Sequence, residues 1–200
     1  MTDDARRSAP AAARNRDPIL QALKPHLPPS GLVLEVASGT GEHILHLAQA
    51  LPCLRWQPTE PQPEGRASID AWAAGLPNVL PALPLDAAGD DWPVLRADVV
   101  LCINMIHIAP WAAAEGLFAG AARLLGPGGL LALYGPYRRK GQKLEPGNAA
   151  FDAELRQRDP AWGLREVGEV AALAGRCGFG APEVVEMPAN NLMLLFRREG

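Results

Sequence analysis

Cysteine is scarce in this sequence. Its three residues, Cys53, Cys102 and Cys177, are odd in number and lie far apart. They form neither a disulfide framework nor a zinc-ligand spacing, so the expectation is a reduced, cytoplasmic protein. Long apolar runs are missing as well. The longest uncharged stretch, residues 99–114, holds Asn104, His107 and Pro110 and is too short to span a bilayer. The start does not read as a secretory signal either. Asp3 and Asp4 stand where positive charge is wanted, and no apolar stretch follows. Its alanines and arginines leave an organellar presequence open. An excess of basic charge is also absent. Lys and Arg total 19 against 22 Asp and Glu, a net charge of −3, which offers no footprint for nucleic acid.

What remains is an ordinary globular composition. Hydrophobic residues make up 48 % of the 200 and charged residues 20 %, and the length suits one domain. A chain of this size hides roughly 70 % of its unfolded surface and needs no staple. The 20 glycines and 20 prolines make it turn-rich without making it low in complexity. Residues 1–13 read as a flexible polar tail and residues 14–200 as a single domain.

Along the chain, strand and helix patterns alternate. Asp17-Pro18 fits an N-cap and first helical position. Residues 32–36 form a short apolar run bounded by glycines, a buried strand, and residues 42–51 follow with a helical stripe of Ile44, Leu47, Ala48 and Leu51. Further strands are expected at residues 54–57, 79–85, 97–103 and 130–134, the second of these weakened by Pro81 and Pro84. Helices are expected at 68–74, 111–125, 149–158 and 166–177. Gly126-Pro127-Gly128-Gly129 reads as a tight turn. Two strands close the chain, at 183–187 and 191–197, joined by Pro188-Ala189-Asn190. Alternation implies crossovers and hence a parallel sheet with helices on both faces. The last link is too short for a crossover, so the last strand should run antiparallel. Ligands of such sheets bind beyond the carboxyl ends of the strands.

The loop Val36-Ala37-Ser38-Gly39-Thr40-Gly41-Glu42 joins a strand to a helix. It is either a plain tight turn or a nucleoside-cofactor site, because two glycines let backbone approach a ligand and a helix N-terminus follows. A dinucleotide site would place a third glycine where Ile44 stands. A phosphate-binding loop would continue Gly-Lys, but here Gly41 is followed by Glu42, whose charge repels phosphates. A cofactor with no phosphate and a positive sulfonium suits the loop better, and Glu35 favours a cation.

In these residues the chain resembles the class I S-adenosylmethionine-dependent methyltransferases, whose first motif is an acid followed by small residues and G-x-G. Glu35-Val36-Ala37-Ser38-Gly39-Thr40-Gly41 fits that pattern. Arg14-Asn15-Arg16-Asp17-Pro18-Ile19-Leu20, Trp56-Gln57-Pro58 and Pro188-Ala189-Asn190-Asn191 look like one subgroup, methyltransferase-like proteins formerly catalogued as a domain of unknown function. The resemblance implies a Rossmann-like, seven-stranded, mostly parallel sheet with an antiparallel last strand. It also implies S-adenosylmethionine as cofactor; the lack of a basic patch and of a long apolar run points to a small-molecule acceptor and to no membrane or nucleic-acid partner.

Cofactor contacts are expected at Glu35, Ala37, Ser38, Gly39 and Gly41, and at Glu60, 19 residues beyond Gly41, whose carboxylate has two oxygens for two ribose hydroxyls. Leu85-Asp86-Ala87 resembles the acid-and-apolar pair that meets adenine, with Asp90 and Asp91 as competitors. Asn104 and Met105 would line the methionine end, facing the substrate.

For chemistry, His107 is the candidate base, or else a histidine that shapes the pocket. Tyr134 and Tyr137 are further candidates, and Arg138 is placed to pair with an anionic substrate group or to lie in solvent. Arg14 and Asn15 are implied as a lid by the subgroup resemblance. His43 and His46 stand three apart on a helix, but no third ligand completes a metal site. Cys102, inside a strand, reads as an inert thiol. Two other classes stay open: a non-catalytic cofactor-binding sensor or scaffold, and an NAD-dependent oxidoreductase.

Overall fold

The structure, a computed structural model, describes residues 5–200. Strands and helices follow in the order α1 (Pro10–Leu23), β1 (Gly31–Val36), α2 (Glu42–Ala50), β2 (Leu54–Pro58), α3 (Pro63–Ala73), β3 (Ala97–Ile103), α4 (Trp111–Leu124), β4 (Leu125–Gly135), α5 (Pro146–Arg158), α6 (Val167–Arg176), β5 (Glu183–Met187) and β6 (Asn191–Arg197). The sheet order is β2-β1-β3-β4-β6-β5. β1 pairs with β2 and β3 in parallel, and β3 pairs with β4 in parallel. β6 runs antiparallel to both β4 and β5, and the short link at residues 188–190 requires this of the β5–β6 pair.

Alternating side chains of β3 explain the two layers. Val99, Leu101 and Ile103 join Val33, Leu130 and Ala132 on one face, where Ile19 and Leu23 of α1, Ile44 and Leu47 of α2 and Ile69 of α3 cover them. Val100 and Cys102 join Leu34, Leu131 and Leu133 on the other, under Leu117 and Phe118 of α4 and Val170 and Leu173 of α6. Phe118 packs edge-on against Phe179 and Phe196, with centroids 5.8 and 5.3 Å away.

Six strands stand where seven are expected among the described residues. Residues 79–85 run beside β2 but touch it only through single parallel bridges, Trp56 with Val79 and Thr59 with Leu83. Leu80 and Leu83 donate their N–H groups to Trp56 and Pro58 at 2.9 and 3.1 Å. Pro81 and Pro84 have no N–H to add, so the ladder cannot extend.

The tail expected over residues 1–13 is also shorter. Met1, Thr2 and the Asp3 and Asp4 used against a signal peptide lie outside the described residues. From Pro10 the chain is helical, with Pro18 inside the helix instead of at its start. Pro10 takes the first helical position at no cost, and Ala11, Ala12 and Ala13 propagate the turn. Ahead of it, Arg7 N–H bonds the Ser68 hydroxyl at 2.9 Å, and Trp72 Nε1 donates to Arg7 O at 2.8 Å. Among the described residues no helix is long and apolar enough to cross a membrane.

Candidate functional site

The loop after β1 is built for close approach. Ala37, Gly39 and Gly41 all have positive φ, 58°, 60° and 93°. The two glycines differ in purpose. A Cβ on Gly41 would lie 2.8 Å from Ile69 Cα, so this glycine lets α2 begin against α3. A Cβ on Gly39 would meet nothing within 4 Å, so this glycine faces open space that a ligand can fill. Glu42 turns away from that space. Its carboxylate accepts from the Thr40 hydroxyl and from Ala9 N–H at the start of α1.

Gly39 opens on a cavity of about 490 Å³ walled by Ala37, Glu60, Asp86, Ala87 and Met105, with Gln62, Ile103, Ile108 and Trp162. Six residues named from sequence therefore share one wall: Ala37, Gly39, Glu60, Asp86, Ala87 and Met105. Glu60 is fixed from both sides, accepting Gly39 N–H at 3.0 Å and Gln62 N–H at 3.2 Å. Each of its oxygens keeps lone pairs for further donors. Asp86 Oδ1 accepts the Ala88 N–H at 3.0 Å, which holds its turn.

Glu35 and Ser38 are brought beneath the loop and do not line the cavity. Glu35 is 1 % exposed, and its Oε2 has no hydrogen-bond partner. Burial pushes its carboxyl up to about 7; the Ser38 hydrogen bond opposes that shift and the neighbouring Glu60 charge adds to it. Among the described residues no group of three or more His, Cys, Asp and Glu gathers as a metal site. His43 bonds Asn15 Oδ1 at 2.7 Å, and His46 lies 2.8 Å from Asp17.

A second cavity, about 570 Å³, adjoins the first, and Ile108 borders both. Its wall includes Arg14 and Asn15 of α1, Asn104, Tyr134, Phe151, Leu155 and Arg158 of α5, and Asn191. Asn104 and Met105 thus part company: Asn104 faces the second cavity and Met105 the first. Asn104 holds φ 63°, and its N–H bonds Tyr134 O at 2.8 Å, which turns the chain at the end of β3.

His107 is not placed as a base. It is fully buried and lines neither cavity. Its ring packs edge-on against Tyr137 at 4.7 Å, and Nδ1 faces the Arg165 N–H at 3.4 Å. Burial, then the Arg165 charge, push it down to about 3, so it stays neutral. The close approach of Gly135, where a Cβ would lie 2.5 Å from His107 Nε2, holds the ring in the interior. Tyr137 is likewise withdrawn, its hydroxyl buried without a partner. Arg138 lies off both walls and reaches Asp152 at 3.9 Å. Of the three candidates for chemistry, Tyr134 alone lines either of these two cavities. Its hydroxyl is raised above the usual tyrosine range by burial, with the Asn15 hydrogen bond opposing the shift.

Sequence reasoning expects the helix at residues 149–158 but names none of its residues, nor Trp162, for the site. Phe151, Leu155 and Arg158 recur at spacings of four and three, one helix face, in a segment otherwise too charged to attract notice.

With this geometry, comparison with known proteins becomes informative. A family model described as "Protein of unknown function (DUF938)" matches residues 6–198. The chain belongs to this family. Among solved structures it is similar to CalO1, a methyltransferase in calicheamicin biosynthesis, in its SAH-bound form, at 17 % identity and TM-score 0.78 over 94 % of this chain and 54 % of that one. Human N-acetylserotonin methyltransferase in complex with SAM is similar at 15 % identity and TM-score 0.79, over 95 % and 53 %. An O-methyltransferase family 2 protein from Planctomyces limnophilus, in complex with apigenin, is similar at 18 % identity and TM-score 0.78, over 94 % and 58 %. The DUF938 chain spans just over half the length of each. At these identities the likeness establishes the fold, the Rossmann-like fold of S-adenosylmethionine-dependent methyltransferases.

Proposed function

We propose that this DUF938 protein is an S-adenosylmethionine-dependent methyltransferase that acts on oxygen or nitrogen of a small molecule. The observation that carries the reading is the pair of cavities meeting at Ile108, one opening from Gly39 and the other reaching α1 and α5. Gly39 leaves the open cradle, Glu60 receives the ribose hydroxyls, and Asp86 with Ala87 receives adenine. Met105 and Ile103 wall the methionine end. Bound S-adenosylmethionine supplies a methyl group already activated by its sulfonium. The protein's own contribution is then mainly to align acceptor and methyl group and to exclude water, which can supply most of the rate. Structural neighbours solved with SAM or SAH support the same cofactor.

Binding without turnover is the second reading, favoured by a second-cavity wall that holds no His, Asp or Glu among the described residues. Calorimetry with S-adenosylmethionine and NAD, followed by labelled cofactor with metabolite extracts, separates the readings. Binding of S-adenosylmethionine with label passing to a metabolite is the expected result. Tighter NAD binding overturns the cofactor assignment. Cofactor binding with no label transfer in any extract supports the non-catalytic reading.

A further inference from the structure

The second cavity has a charge pattern that the cofactor reading does not explain. Its charged lining residues are Arg14 and Arg158, from α1 and α5. Neither forms an ion pair with a described residue, whereas four arginines near α5 are engaged. Arg138 and Arg156 share Asp152, Arg139 meets Glu186, and Arg165 donates to the carbonyls of Ile106, Ala109 and Ala161. Of the acids on these two helices, Asp152 meets those arginines, Asp17 meets His46, and Glu154 forms no ion pair with a described residue and does not line the cavity. Arg158 is steadied by Trp162, whose ring centroid lies 5.3 Å from its guanidinium carbon. Beside the charge, Ile108, Pro136, Phe151 and Leu155 supply apolar lining, Phe151 and Leu155 from the same face of α5 as Arg158.

We infer that the acceptor is an amphipathic organic acid whose carboxylate is drawn in by Arg14 and Arg158 while its carbon skeleton packs on Phe151 and Leu155. This rests on the methyltransferase reading above. Guanidinium groups match carboxylates in shape and charge. The inference also accounts for the missing base. A neutral alcohol or an ammonium must lose a proton, and among the described residues no histidine or carboxylate lines the cavity to take it. A carboxylate has no proton to lose at neutral pH. One of its oxygens forms the new C–O bond as the C–S bond breaks, and that bonding pair remains on sulfur. The positive sulfonium and negative carboxylate give a neutral thioether and a neutral methyl ester, so charge and atoms balance.

The test compares 3-phenylpropanoate, 4-phenylbutanoate and decanoate with their primary amides, by ligand-observed NMR titration. The full chain is used, with and without S-adenosylhomocysteine. Each acid is expected to bind at least tenfold tighter than its amide. In the double variant Arg14→Gln, Arg158→Gln the preference should fall below twofold, while S-adenosylhomocysteine affinity holds. Both arginines are exposed, so the variant should keep its melting temperature. Equal or tighter binding of the amides, a preference that survives the double substitution, or no binding of any acid would overturn the inference. Failure of the cofactor to bind overturns the parent reading separately, since the acid preference is measured without it too.

Discussion

Glu35 is a buried acid at the bottom of the glycine loop, and its cost has a definite pH signature. Folded, its pKa is about 7, against 4.5 for the free group. Between those values the folded state holds the extra proton, so stability from this residue falls as pH rises through 4.5 to 7. Above that window the penalty is constant and on the order of 3 kcal/mol. His43 and His107 act with the opposite sign. Burial lowers them from 6.5 to about 4 and about 3, so the unfolded state takes protons first and stability falls as pH drops below 6.5. Glu35→Gln should therefore be more stable at pH 8 by about 1–3 kcal/mol, and its stability should rise steadily from pH 4.5 to 7. Urea unfolding at pH 5, 6, 7 and 8 measures this; an unchanged pH profile would refute the buried-charge account. His107→Ala removes a packed ring and should cost about 2–4 kcal/mol in the same assay. Once an acceptor is known, its saturated turnover should stay within tenfold of wild type, where loss of a base would cost about 10²–10⁴.

At the scale of elements, proline decided what the sequence showed. Three helices begin at prolines, Pro10, Pro63 and Pro146, and each starts three to eight residues ahead of its expected start. At the first helical position the missing N–H of proline would be unbonded anyway, so these prolines start helices at no cost. Where proline fell between residues that needed N–H groups, at Pro81 and Pro84, the reading of a weak strand caught the defect but not its consequence. The apolar strands were legible because their side chains alternate between two buried faces, as in residues 97–103. The glycine loop was legible because local spacing alone defines it. The second cavity was not, because α1, α5 and the 188–191 turn meet only in the fold, and a lone charged helix such as α5 carries no mark of its partners. The inward turn of His107 was hidden for a similar reason, being set by the glycine at 135 on another strand. Pro18 offers a direct check. Its missing N–H leaves one helical hydrogen bond of α1 unmade, so Pro18→Ala should slow amide exchange over residues 11–17 and raise stability by about 1–2 kcal/mol. Faster exchange in the variant would show that the ring's packing in the second cavity outweighs the lost bond.

For the whole molecule, the cofactor reading can be tested through stability, because a ligand that binds only the folded chain shifts the unfolding equilibrium by a calculable amount. At a hundredfold excess over Kd the gain is about 2.7 kcal/mol. In a chain of 200 residues that corresponds to a rise in Tm of roughly 5–10 °C. S-adenosylmethionine should produce this rise and NAD should not. The two loop glycines then separate binding from folding. Gly39→Ala places a methyl group in open space at φ 60°, so it should cost only about 1–2 kcal/mol of backbone strain. That methyl group occupies the cradle, so most of the ligand-induced rise should disappear. Gly41→Ala meets Ile69 Cα at 2.8 Å where α2 and α3 touch, so it should lower the baseline Tm by more than Gly39→Ala does. Scanning calorimetry of the three proteins, each with and without S-adenosylmethionine, reads both effects at once. If Gly39→Ala keeps the full ligand-induced rise, the cofactor does not lie against this loop, and the cavity beside α1 and α5 becomes the place to look for it.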